Sequence, residues 1–136
     1  MRTLRLATTL ALFRAAIRWR GVRAAMGLAS LIGKVPRWPR RVAIADPVGV
    51  VTEIRRVAGK MPFRADCLPQ SLTAWLALHR AGLRPTVRLG IALDGTSSAH
   101  AWVELAGAAL CESTSERYHT FAVATHLPST VVGNGP

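Results

Sequence analysis

The sequence is short of cysteine, of acidic residues and of long apolar runs. Its two cysteines, Cys67 and Cys111, allow one bridge at most, which is no disulfide framework. No stretch approaches the ~18 consecutive apolar residues that a spanning helix needs. No secretory leader is expected either. Arg5 interrupts the apolar stretch behind Arg2, Arg14 and Arg18 close it, and no small-residue cleavage site follows. The expectation is a cytoplasmic protein with free thiols. No internal repeat is present.

Acids are scarce in one half only. Residues 1–60 carry 13 Lys/Arg against Asp46 and Glu53 alone, a balance of +11; residues 61–136 carry five basic and five acidic residues. The whole excess belongs to the N-terminal half, which suits an acidic partner, a nucleic acid or an anionic membrane surface. The C-terminal half is electrostatically neutral, as a catalytic core often is.

What is there is one domain's worth of chain: 136 residues, half of them apolar. Apolar positions at steps of three and four (Leu6, Leu10, Phe13, Ile17) predict a helix over residues 3–33, with a break at Gly21. Asp46 and Pro47 form a start signal for a second helix that Gly59 stops. Pro69 is tolerated only in a helix's first turn, so the run before Gly82 predicts a third helix with Cys67 at its N-terminus. Residues 86–93, 99–105 and 109–113 then read as three strands of an antiparallel meander. The tail from Thr114 is weakly patterned and residues 128–136 fray. The predicted architecture is α+β, N-terminal helices followed by a Cys-bearing helix packed on a small antiparallel sheet. Its divisions are a basic helical region (1–44), a core (45–127) and a disordered tail (128–136).

The chemistry gathers on Cys67 and His100. A thiolate, not a thiol, is the nucleophile, and the dipole and open N–H groups of a helix N-terminus favour the anion. The same N–H groups can hold the oxyanion of a tetrahedral intermediate. Alone, a cysteine is more often a small buried apolar side chain. His100 supplies a base, on a strand where it shares one face with Trp102 and Glu104 while Ala101, Val103 and Leu105 face the core. Glu112, in the next strand, is the best available group to orient the imidazole. A two-residue turn at Ala106-Gly107 would oppose Ala101 to Glu112, on the wrong face; a longer turn or a bulge at Gly107 would bring Glu112 beside His100. His79, His119 and His126 carry weaker signals. No Cys/His pairing has zinc-ligand spacing, so neither metal nor cofactor is expected.

The segments C-L-P-Q-S-L-T-A-W-L-A-L-H-R-A-G (67–82) and A-H-A-W-V-E-L-A-G (99–107) together resemble the leader peptidases of lasso peptide biosynthesis, the B2 proteins, which have a transglutaminase-like, papain-like core. The resemblance covers about residues 45–113. It implies a cysteine peptidase that cleaves a ribosomally made precursor, with Cys67 attacking the scissile carbonyl and His100 moving the proton. The family's third catalytic residue is an Asp on the following strand; this sequence departs there and offers Glu112. Residues 1–60 read as helices, not as the strands of a fused leader-recognition domain. The implied partners are therefore the precursor's leader, a separate leader-recognition protein and the lasso cyclase. Two rival readings remain: a transglutaminase-like acyl transferase or amidase, and a non-enzymatic basic module that binds membrane or RNA through residues 2–41. No nucleic-acid-binding fold is recognisable, and no nucleic acid is expected as partner.

Overall fold

The structure, a computed structural model, describes residues 2–35, 44–95, 98–110 and 118–124, with residues 121–124 described by backbone alone. Its order is α1 (Arg2–Lys34), α2 (Pro47–Ala58), α3 (Cys67–Arg80), β1 (Pro85–Ala92), β2 (Ala99–Leu105), β3 (Ala108–Ala109) and β4 (Tyr118–Ala124). The architecture is α+β, as the sequence predicts.

Alanine, leucine and arginine, all strong helix formers, carry α1 through 33 residues. The break falls at Gly21, whose φ of 85° and ψ of 174° suit a residue with no side chain. Each arm buries its own stripe, Leu10 and Phe13 before the kink and Ala25, Met26 and Ala29 after it. In α2, Asp46 Oδ1 accepts the Gly49 N–H at 2.9 Å, and Pro47 takes the first helical position. Val50, Ile54 and Val57 point inward.

The centre of the molecule is α3. Eight of its fourteen residues are buried, including the run Ser71–Leu76. A helix apolar around most of its circumference has to be covered on several sides. Here α1 and α2 pack on it together with β1 and β2. The helix closes with the Gly82 N–H on the His79 carbonyl at 3.0 Å and the Leu83 N–H on the Leu78 carbonyl at 3.1 Å.

The antiparallel sheet has the order β3-β2-β1-β4. β1 and β2 pair Val87 with Val103 and Leu89 with Ala101, and Val87 and Val103 join the core beneath α3. Three strands were expected as a meander. The structure adds β4, which comes back to the far side of β1 and pairs Gly90 with Thr120. Its residues suit a strand, but the ladder skips a residue between Leu89/Ala122 and Gly90/Thr120, which breaks the alternation that marks a strand in sequence.

That crossing of β1 and β4 depends on Gly90. A Cβ there would come within 3.0 Å of the His119 carbonyl oxygen, the Trp102 ring and Tyr118 Cβ. Two of those neighbours are fixed to the backbone and cannot swing away. Gly90→Ala is expected to lower stability by about 1–3 kcal/mol in urea unfolding; an unchanged midpoint would refute the close approach.

Candidate active site

Cys67 is the first residue of α3 and is partly exposed. The residue before it, Asp66, is extended (φ −70°, ψ 179°), and its side chain makes no capping bond. The Asp66 carboxylate instead points to solvent, 3.4 Å from Arg64 Nε. The first-turn N–H groups of Cys67 and Leu68 have no intrahelical acceptor, and Pro69 brings none. Two donors are thus left beside the thiol.

The approach to α3 is held from both sides. Gln70 Nε2 donates to the Ala65 carbonyl at 2.6 Å. From α1, Arg14 Nε donates to the Arg64 carbonyl at 2.9 Å, with its guanidinium 4.6 Å from the centre of the Phe63 ring. An arginine from the basic N-terminal region therefore fixes the segment that leads into Cys67. This role was not legible in the sequence, because nothing local links residue 14 to residue 64.

Cys67 and His100 line one cleft of about 170 Å³. Val51, Ile54 and Arg55 supply its α2 wall, Gln70, Ser71 and Ala74 continue the α3 wall from Cys67, and His100 to Val103 form the β2 wall. Arg55 is the cationic side chain of this lining. It also lines an adjoining hollow with Met61, Phe63 and Arg64.

His100 keeps aromatic company. Its ring lies 4.9 Å from that of Tyr118 and 6.0 Å from that of Trp102, centre to centre, with interplanar angles of 29° and 19°. The imidazole shares its sheet face with Trp102 and Glu104, as expected, and Ala101 and Val103 occupy the core side. The first face, however, is no solvent face: Trp102 and Glu104 are 5% and 7% exposed. Glu104 accepts from Arg88 Nε at 2.8 Å and from Trp102 Nε1 at 3.0 Å. A buried carboxylate with two donors holds the indole that stacks on His100. Tyr118 and this Arg88–Glu104–Trp102 chain escaped the sequence reading, since β4 was not expected.

The β2–β3 turn has two residues, Ala106 and Gly107, with φ of 52° and 81°. It pairs Leu105 with Ala108, and the register runs on to the Leu110 N–H, which bonds the Val103 carbonyl at 3.0 Å. The longer turn that would favour Glu112 is thus not the one adopted. Glu112 and Cys111 lie outside the described residues, as does His126. His79 stacks on Trp75 at 4.6 Å, and His119 is exposed on β4. Among the described residues no three His, Cys, Asp or Glu side chains gather where they could hold a metal.

Removing Glu104 tests the aromatic wall. Glu104→Ala takes the carboxylate partner from the buried Trp102 N–H and from the half-buried Arg88, which is expected to cost about 1–3 kcal/mol in urea unfolding. A wild-type midpoint would mean that the chain carries no structural weight.

No curated protein and no solved structure matches the chain. A family model described as the transglutaminase-like superfamily does, over residues 9–126, and so takes in most of α1 as well as the cleft. The chain belongs to the transglutaminase-like superfamily, whose members are generally cysteine-dependent enzymes.

Proposed function

We propose that the protein is a cysteine peptidase that removes the leader from a lasso peptide precursor, delivered by a separate leader-recognition protein. One observation carries the reading: Cys67, at an uncapped helix N-terminus, and His100 stand in the walls of a single cleft. The two sequence segments around them support the substrate assignment.

In this mechanism the Cys67 thiolate attacks the scissile carbonyl, forming a C–S bond. The oxyanion is held by the Cys67 and Leu68 N–H groups. The intermediate collapses, the C–N bond breaks, and His100, protonated, gives its proton to the leaving amine. Water then attacks the thioester with His100 as base, releasing the carboxylate of the leader and restoring the thiol. A role for Glu112 as orienter of the imidazole requires the chain beyond Leu110 to leave the register set by the two-residue turn.

Membership of the transglutaminase-like superfamily favours a second reading, in which an amine rather than water takes the acyl group. Both routes share the acyl-enzyme, so product mass separates them: hydrolysis adds water, transfer adds the amine.

The test is mass spectrometry of the precursor incubated with the protein and its recognition partner. Cys67→Ala is expected to lower cleavage by at least about a thousandfold, and His100→Ala to a similar level, because the two groups act as a unit. Cleavage that survives Cys67→Ala would dispose of thiol catalysis altogether.

A further inference from the structure

Leu10 and Phe13 are fully buried on the inner side of α1's first arm, yet its outer side is not polar either. Leu4, Leu12 and Trp19 stand there 71%, 43% and 82% exposed. At 100° per residue the three fall within a sector of about 80°, with exposed Thr8 and Ala15 between them. The stripe is about 22 Å long at the rise of an α-helix. Exposed Arg5 and Arg18 flank it. Residues 2–45 carry ten arginines and lysines and no aspartate or glutamate.

The arm therefore has two apolar faces separated by cationic seams. The body of the protein covers one. We propose that the other rests on an anionic membrane surface, with Leu4, Leu12 and Trp19 among the headgroups and the flanking arginines on the lipid phosphates. Among the described residues no helix is long and apolar enough to cross a membrane, so the contact is interfacial.

Three observations select lipid over a protein partner. The anchors are isolated along the helix, whereas protein hot spots gather into one well-packed centre. Tryptophan is at home where a bilayer meets water. The face also lacks the mixed charges by which protein interfaces set their register, and holds nothing that repels an anionic lipid.

The test is co-sedimentation of the full chain, at low salt, with vesicles of phosphatidylcholine plus phosphatidylglycerol and with vesicles of phosphatidylcholine alone. The chain is expected on the anionic vesicles and not on the neutral ones. Trp19→Ser changes no charge and is expected to weaken that binding about tenfold. Leu93→Ser, at an apolar side chain 65% exposed beyond β1, is expected to leave it unchanged. Cys67→Ala is expected to bind like the native chain, so membrane contact and peptidase activity are tested separately. Circular dichroism checks that each variant folds. Equal binding to both vesicle types, no vesicle binding, or a Trp19→Ser protein that binds like the native one would overturn the proposal. Capture of an acidic protein through Trp19 without any vesicle binding would overturn it in favour of a protein interface.

Discussion

The site depends on α3 being buried along its length and open at its first residue. Leu72, Trp75 and Leu78 are all but sealed beneath α1, α2 and the sheet, so the helix axis has no freedom to drift. Its N-terminus is different. Asp66 is a residue type that usually caps, yet its carboxylate turns out toward Arg64, and the first-turn N–H groups stay available. Helix stability forgoes about 0.5–2 kcal/mol when such a cap is missing. Burial of the rest of α3 makes that loss tolerable, and the dipole's positive end is left facing the thiol's surroundings.

The opposite wall is held by different means. β2 is one strand deep between β3 and β1, and His100 is braced by the rings of Tyr118 and Trp102 instead of by the core. Glu104 ties the indole, and Arg88 ties Glu104. Stacking fixes the plane of the imidazole through its ring faces. A rigid helix terminus and a stacked strand residue thus bound one cleft.

Much of this was legible in the sequence because it rests on local signals. Gly21, Asp46-Pro47, Pro69 and Gly82 mark helix breaks, starts and ends by backbone chemistry alone, and each falls where it was expected. Strand β2 was legible through alternation. Less legible were the features made by distant residues meeting. Arg14 reaches Arg64 across fifty positions, Arg88 reaches Glu104 across the β1–β2 pair, and Tyr118 reaches His100 only because β4 doubles back past a bulge. None leaves a periodic trace. The third catalytic position was a conditional expectation, since it turned on the length of one hairpin turn. That turn proved to be the two-residue form, with both residues at positive φ.

The basic N-terminal half also changes meaning once the packing is known. As sequence it is a charge excess in search of a partner. In the fold its first arm fills the core with Leu10 and Phe13 and positions the segment before Cys67 through Arg14. The most direct measurement of the central claim is a cross-link across the cleft. His100→Cys, in a Cys111→Ser background, would be treated with the short dithiol reagent dibromobimane under native conditions. A fluorescent intramolecular bridge between positions 67 and 100 is expected. Two thiols labelled independently, with no bridge until the protein is unfolded, would contradict the claim that they meet there.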